Sequence, residues 1–304
     1  MIFNKIKWAP FALTLFTIPL VSSCSSDDEE EEQQEVKRPI SVVVSENPMK
    51  EEESGSRITR TEAPTTTGTL TEFKMMYQTD AEIKTEYTAE KTGSPANWGL
   101  TPSHWPTTVG NTEKINFYAY NGGTFNYNNG TPYVAFETEG SAFSQKDYLV
   151  ATHKAISYND KQGVVSLSFD HACAAVEFNI CKTQATQKEK THTIVVKSVV
   201  LKNVKKKGDY SYEYGWSLGG ETTNYALIDG DITLETNPTY KRLPCKWLFL
   251  IPQPKSDIKL DISYTIDGTA DSREISIGTD SWEAGNQYTI NIKVGSSFLP
   301  QQQS

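Results

Sequence analysis

The sequence has few of the residues and motifs that carry enzyme chemistry. Its four histidines show no metal-ligand spacing to each other or to cysteine. It contains no Gly-x-Ser-x-Gly elbow, no phosphate-binding glycine loop and no dinucleotide fingerprint. His171 lies near a predicted strand start without a visible nucleophile partner, so we interpret it as a hydrogen-bonded structural residue. The sequence therefore predicts a non-enzyme with no catalytic residue, no metal and no cofactor. An unrecognised carboxylate pair for glycoside hydrolysis stays as the enzymatic alternative.

Clusters of basic residues are scarce as well. The chain has 29 Lys and Arg against 38 Asp and Glu, which gives a formal net charge of −9 at pH 7. Binding to nucleic acid needs clustered cations against the phosphates. The longest basic run, Lys205-Lys206-Lys207, precedes Gly208 and is typical of a solvated hairpin turn. We therefore expect no nucleic-acid partner.

Cysteine is rare, and its positions argue against a disulfide framework. Apart from Cys24, the chain has Cys173, Cys181 and Cys245, an odd number that cannot all pair within one chain. Cys173 and Cys181 fall on one predicted strand, ~26 Å apart at ~3.3 Å per residue. A disulfide needs Cα atoms within ~7 Å, so we predict that the three thiols are small buried residues.

The N-terminus has the layout of a secretory signal. Lys5 and Lys7 are followed by an apolar run that is broken by proline and is shorter than the ~20 residues of a membrane-spanning helix. The run ends at Val21-Ser22-Ser23-Cys24, which resembles a lipobox. We predict a lipoprotein signal peptide over residues 1–23 and lipidation of Cys24. The alternative is an ordinary signal followed by an incidental cysteine.

An acidic linker follows the predicted lipidation site. The block from Asp27 to Glu32 carries charge of one sign, repels itself and stays extended in water. It also resembles the acidic signal that exports some lipoproteins to the outer face of the outer membrane. We therefore predict an outer-membrane lipoprotein, anchored through the lipid on Cys24 and displayed at the cell surface.

Residues 24–60 contain one island of strand character. Pro39–Ser45 is rich in β-branched residues, and its alternate apolar residues are Ile40, Val42 and Val44. A lone strand is not stable in water, so this segment must pair with a later part of the chain. A second polar linker follows and contains Arg57 and Arg60, which are candidate proteolytic processing sites because the linker is soft and exposed.

From Leu70 onward the pattern predicts strands nearly everywhere. Val176, Phe178 and Ile180 alternate with polar residues, for example, and turn pairs such as Asp267-Gly268 separate such segments. The predicted strands are Leu70–Tyr77, Lys114–Tyr120, Tyr133–Glu137, Asp147–Ile156, Val164–Phe169, Ala172–Ile180, His192–Val204, Tyr210–Ser217, Asp231–Glu235, Trp247–Pro252, Ile258–Ile266, Arg273–Ile277 and Tyr288–Val294.

No window shows a sustained helical period, so the fold class is all-β. The polar run Lys182–Thr191 is a natural joint between two halves. We predict two β-sandwich domains in tandem, over residues 61–183 and 184–296, with a tail over residues 297–304. The lipoprotein signal and the acidic linker precede them, and residues 24–60 include the removable first strand.

Tryptophan offers the only hint of a ligand surface. Trp105 and Trp247 adjoin strand patterns and are expected to fill cores. Trp98 and Trp282 lie in turn-like contexts, so they are the candidates for an exposed ring that stacks on a sugar.

Several segments together resemble the fimbrillin family. Trp105-Pro106 followed by Ile115–Tyr120 is similar to its "WP … v-x-F-Y-A-Y" signature, and Lys146–Ala151 to its "D-x-L-V-A" strand. Val165–Ala172 with Val176–Phe178 is similar to its "l-x-F-x-H-x-l-a-k-v-x-F" segment, except that Ala175 stands where the family often has Lys. These segments span roughly residues 70–294.

The resemblance implies a fold, a route and partners. It implies two transthyretin-like β-sandwiches, lipoprotein export, cleavage after an arginine, and assembly into fimbriae by β-strand exchange. The expected partners are other fimbrial subunits, of the same or an accessory kind, and ligands on host or bacterial surfaces. The alternative is a surface lipoprotein that does not polymerise and binds a glycan or a protein.

Overall fold

In the computed structural model, the residues described are 37–51, 70–80, 83–93, 97–183, 190–235 and 239–295. They are nearly all β, as predicted. The single short helix with described bounds is Tyr158–Lys161 (α1), capped by the Ser157 hydroxyl. Among these residues, no helix has the length and apolar character needed to cross a membrane.

Seven strands form the largest sheet. In spatial order they are Ser41–Glu46 (β1), Val164–His171 (β10), Leu149–Ile156 (β9), Ile115–Asn121 (β6), Glu72–Gln78 (β3), Ile83–Thr92 (β4) and Asn97–Thr101 (β5). The β1–β10 pair is parallel, and the other pairs in this sheet are antiparallel.

The remaining strands form four smaller sheets. One sheet has the order Lys241–Leu250 (β17), Ala174–Lys182 (β11), Asn286–Val294 (β22) and Lys50–Glu51 (β2). A second contains Thr222–Ala226 (β15), Ile194–Lys205 (β12), Lys259–Ile266 (β19) and Thr269–Ser276 (β20), with Ile232–Leu234 (β16) also on β12. A third contains Gly215–Leu218 (β14), Lys207–Ser211 (β13), Thr131–Glu137 (β8) and Thr124–Asn128 (β7), and the last pairs Gln253–Pro254 (β18) with Ser281–Trp282 (β21).

Three apolar clusters form the interior. The first core lies on the seven-stranded sheet and includes Phe73, Trp105 and Phe117. The second lies among the sheets of β11 and β12 and includes Phe178 and Tyr264. A smaller cluster contains residues of both halves of the chain, with Phe136 and Trp247 among them. Trp105 and Trp247 are therefore core residues, as predicted.

The limits of the two predicted domains stay a prediction. Strands from the two predicted halves pair with each other. β11 precedes the polar run at Lys182–Thr191, yet it pairs with β17 and β22 and places Val176 and Phe178 in the second core. The halves also share a sheet, because β13 pairs with β8.

Two predictions about strands and turns are wrong in detail. Tyr210–Ser217 was expected to be one strand, but it is a hairpin of β13 and β14. The Ser211 hydroxyl accepts the amides of Glu213 and Tyr214, and Gly215 has a φ of +74°. This polar turn chemistry outweighs the aromatic β-propensity of the segment.

The basic run at residues 205–207 is not a solvated hairpin turn. β12 ends at Lys205 and β13 begins at Lys207, and these strands belong to different sheets. Lys206 Nζ lies 2.7 Å from Glu221 and 3.4 Å from Glu137, and Lys207 contacts the same two carboxylates. The run is therefore the link along the chain between two sheets, and its lysines form ion pairs with Glu137 and Glu221 at the surface.

Candidate functional site at the N-terminal strand

The predicted N-terminal strand is β1, at the edge of the seven-stranded sheet. It runs parallel to β10, with Ser41 opposite Val164 and Glu46 opposite Phe169. Ile40 is buried, whereas Val42 and Val44 are half-buried and pack on the first core. Val43, on the opposite face, is 58% exposed. The predicted alternation is therefore present, and the strand covers part of the core from an edge position.

The start of β1 is held by Arg38. Its Nη2 donates to the carbonyl oxygens of Pro106 and Val109 at 2.7 Å each, and its Nη1 donates to Asn111 Oδ1. The guanidinium carbon lies 5.3 Å from the centre of the Tyr158 ring. One side chain thus ties the strand to a loop and to α1 through charge-assisted hydrogen bonds and a cation–π contact.

The backbone around Arg38 is paired on two sides. The Trp105 amide donates to the Arg38 carbonyl at 2.7 Å, and the Ser41 amide donates to the Gly163 carbonyl at 3.0 Å. Pro39 forms an isolated antiparallel bridge with His104. The segment before β1 therefore lies between two parts of the body.

The end of β1 is held by Glu46 and Asn47. The Asn47 amide donates to the Phe169 carbonyl at 2.8 Å, and its Nδ2 donates to Asp170 Oδ1 at 2.7 Å. Glu46 Oε1 lies 2.9 Å from His171 Nε2. Beyond this point Met49 is buried and β2 pairs with β22, so the segment 38–51 contacts both halves of the chain.

His171 lies between two carboxylates. Its Nδ1 is 2.5 Å from Asp147 Oδ2, and the side chains of His171 and Asp147 are 2% and 0% exposed. Burial alone lowers the pKa of His171, but the hydrogen bond and charge of Asp147, with those of Glu46, raise it above its ordinary value. Burial raises the pKa of Asp147, and His171 opposes that shift. The sequence interpretation of His171 as a hydrogen-bonded residue is therefore correct.

The described residues offer no arrangement for metal or thiol chemistry. No group of three or more His, Cys, Asp or Glu side chains in the described ranges is placed to hold a metal ion. Cys173, Cys181 and Cys245 are free and buried, as predicted. Burial raises the pKa of all three thiols, to about 12 for Cys245, so they stay in the poorly nucleophilic thiol form.

The other predicted site residues fall in different places. Cys24, Arg57 and Arg60 lie outside the described residues. Trp98 is half-buried, with its ring 4.9 Å from that of Phe73 in an edge-on contact.

Trp282 requires a correction. It is 1% exposed and packs in the second core, so its ring faces are covered and cannot stack on a sugar. The turn-like context was misleading, because the short strand β21 carries the ring inward where β21 pairs with β18.

Sequence reasoning missed the two anchors of β1. One signal was available: Glu46 has the same parity as Ile40, Val42 and Val44, and alternation therefore places an acid on the buried face. A buried carboxylate needs a partner. Nothing in the local sequence indicated that Arg38 binds residues 106–111, because that contact depends on the tertiary fold.

The chain is similar to a known protein family and to solved structures. A family model described as fimbrillin-like matches residues 53–304. Among curated proteins, none matches this chain. A solved fimbrial protein from Bacteroides vulgatus ATCC 8482 is similar at 18% identity and a TM-score of 0.55, over 84% of this chain and 95% of that one.

A second solved structure, described as a "putative cell adhesion protein" from Parabacteroides distasonis ATCC 8503, is similar at 12% identity and a TM-score of 0.51. The match covers 87% of this chain and 90% of that one. At these identities the likeness concerns the fold.

Proposed function

Because the chain belongs to the fimbrillin-like family, we propose that it is a structural or adhesive subunit of surface fimbriae. In this proposal it is exported as an outer-membrane lipoprotein, is activated by cleavage after Arg57 or Arg60, and assembles by β-strand exchange. Family membership supports the fimbrial or adhesive role at the cell surface. The lipoprotein and cleavage steps rest on the N-terminal sequence, and strand exchange is supported by the placement of β1.

The observation that carries the proposal is that β1 fills core positions from an edge of the sheet. Removing it would uncover the backbone of β10 from Val164 to Phe169 and the apolar positions below Ile40, Val42 and Val44. An unpaired strand edge is a template for another chain's strand, and a row of apolar pockets gives that strand its register. The intact subunit is closed because its own strand occupies this groove.

Cleavage explains how a filled groove becomes available. In the intact chain, β1 is held near its groove at high effective concentration, so a competing strand cannot displace it. A cut after Arg57 or Arg60 ends that advantage without breaking any contact of β1. Burial of a valine-sized side chain contributes ~1.5–3 kcal/mol when complete, and an incoming strand recovers these contacts in the same pockets.

Strand donation from one subunit to the next is a heterologous contact. Such contacts repeat head to tail and build an open fibre. The Cys24 lipid would hold the precursor at the outer membrane until the cut separates residues 24–57 or 24–60 from the body. Stable anchoring needs two lipid chains, and a diacylated cysteine supplies them.

The test is a deletion strain examined by electron microscopy and cell-surface fractionation. We expect filaments to be lost, and to return with the wild-type gene but not with Arg57→Ala/Arg60→Ala. Arg273→Ala, on the exposed edge strand β20, is the matched control and should restore them. Filaments that persist in the deletion strain, or full restoration by the double variant, would refute the proposal.

One observation favours the alternative of a non-polymerising lipoprotein that binds a glycan or protein. Trp98 is half-exposed, and Lys91 Nζ lies 5.9 Å from its ring centre. An aromatic ring beside a cation suits a sugar face or an acidic ligand. Unchanged filaments in the deletion strain, together with loss of glycan binding in Trp98→Ala, would select this function.

A further inference from the structure

The groove that β1 occupies contains a charged position as well as apolar pockets. His171 is fixed from the body side by Asp147, with Nδ1 and Oδ2 2.5 Å apart. Its other ring nitrogen, Nε2, has Glu46 Oε1 as its partner at 2.9 Å. Asp147 belongs to the body, whereas Glu46 belongs to the segment that the proposed function removes. Departure of β1 therefore takes away one of the two partners of a buried imidazole.

We propose that His171 binds a carboxylate of the incoming strand. The groove would then select strands that have an acidic residue at the position that Glu46 occupies in β1. This inference rests on the proposed strand exchange and names the chemistry of the partner. The side chains of His171 and Glu46 are 2% and 8% exposed, so the contact is made away from solvent. A buried donor left without an acceptor is destabilising, and more so when it is charged.

The register of β1 fixes where that acid must stand. Ile40, Val42 and Val44 face the core, and Glu46 is the next residue on the same face. Strand side chains alternate with a period of two, so a strand in the same direction and register presents its own residues at these four positions. A strand that fits the groove therefore runs parallel to β10 and has the sequence pattern apolar-x-apolar-x-apolar-x-acid.

The two ends of the groove differ in the contacts that an incoming strand must supply. Arg38 brings its own cation to acceptors of the body, and its bonds to Asn111 Oδ1 and to the carbonyls of Pro106 and Val109 are exposed or only part-buried. Asp147 already supplies the body-side acceptor of His171, so the vacant place on the ring calls for a second acceptor. The carboxylate is therefore the more selective feature of the strand.

Strand β22 and residues 295–304 do not supply such an acid. Residues 284–304 include no Asp or Glu. A strand taken from these residues would leave His171 without an acidic side chain. The occupant that we assign to the groove is therefore a strand of another subunit that carries an acid at the position of Glu46.

The test uses the full mature chain cut between Glu51 and Leu70, by trypsin or by a specific protease at a site inserted there. Fluorescent peptides of residues 37–51, which include Arg38 and β2, compete with the cut strand for the groove, and their binding is measured by anisotropy. Three peptides are compared: the natural sequence, Glu46→Gln, and Ser45→Glu/Glu46→Ser, which has the same composition with the acid moved by one residue.

We expect the natural peptide to bind about ten-fold or more tightly than either variant, as for a charged hydrogen bond. On a His171→Gln body the preference should vanish. Equal binding of the three peptides to the wild-type body would refute the recognition of the carboxylate, and so would an unchanged preference on the His171→Gln body. Neither result would refute strand exchange. Failure of every peptide to enter the cut protein would refute strand exchange itself, and this inference with it.

Discussion

Gly163 and Pro39 lie so close together that Gly163 has no room for a side chain. A Cβ at Gly163 would lie 2.3 Å from the Pro39 carbonyl oxygen and 3.0 Å from Tyr158 Cε2. The residue also has a φ of +77°, a conformation that favours glycine. Pro39, just before the N-terminal strand, therefore packs against a position where only glycine fits.

Gly163→Ala should loosen β1 more than it destabilises the rest of the protein. We expect faster amide hydrogen exchange in residues 40–46, because the added methyl group forces Pro39 away. Gly215→Ala is the matched control, since its φ is +74° and no atom lies within 4 Å of its added Cβ. Both variants carry backbone strain of roughly 1–2 kcal/mol. Equal exchange of β1 in the two variants would contradict this prediction.

Arg38→Lys should weaken the docking of β1 although it keeps the charge. Lysine cannot reproduce the planar fork that binds Asn111, Pro106 and Val109 or its stacking on Tyr158. We expect a loss of about 2 kcal/mol in the free energy of unfolding by denaturant. Lys37→Ala, at an exposed neighbour, should change it by less than ~0.5 kcal/mol. Equal effects of the two substitutions would exclude Arg38 as an anchor.

Release of β1 from the cut protein should speed up as the pH rises from 6 to 9. The charged groups that face His171 are Glu46 from β1 and Asp147 from the segment before β9. The Cys173 thiol beside Asp147 stays neutral, because burial raises its pKa. The folded pKa of His171 is raised above its ordinary value.

The sign of the effect follows from that shift. Only the part of that shift that Glu46 causes affects release, because Asp147 stays beside His171 in the body. The Glu46–His171 ion pair strengthens docking of β1 while His171 is protonated, and this contribution is lost as pH rises through the folded pKa. His171→Gln should flatten the profile between pH 6 and 9. A wild-type rate that does not vary with pH in this range would refute the prediction.

Cys24→Ala should abolish acylation and membrane retention. The cysteine follows a signal-like segment, and acylation at that position is what the lipobox resemblance implies. Labelling with a fatty-acid analogue measures the outcome directly. Cys181→Ala removes a buried thiol and should leave labelling intact. Full incorporation into Cys24→Ala would refute lipidation at Cys24, whereas a wild-type protein without label would mean that the segment is an ordinary signal.

Strong alternation made much of the fold readable from sequence. Ile258–Ile266 was predicted as a strand and is found as β19, and Pro39–Ser45 was predicted as a strand that pairs with a later segment and is found as β1. Both have apolar residues at every second position, which local sequence alone specifies. β4 was missed because most of its residues are polar, so its apolar signal is weak; Tyr87 and Ala89 are buried among the residues of β4 whose burial is described.

The partners of the strands could not be predicted in the same way. The pairing of β13 with β8 joins residues about 75 positions apart, and no local pattern encodes such a contact. The anchors of β1 could not be predicted for the same reason. Arg38 contacts Val109 only in the folded chain. Glu46 likewise contacts His171 only in the folded chain. Sequence indicated that the strand needs a partner, and the tertiary structure supplies the partner's identity.

The central claim is that β1 is cut away and replaced in the assembled fibre. The most direct measurement is the N-terminus of the subunit in filaments purified from cells, determined by mass spectrometry. The account predicts that the subunit begins at Ile58 or Thr61 and that no peptide from residues 24–57 is present. Filament subunits that retain the Ser41–Glu46 strand would contradict it.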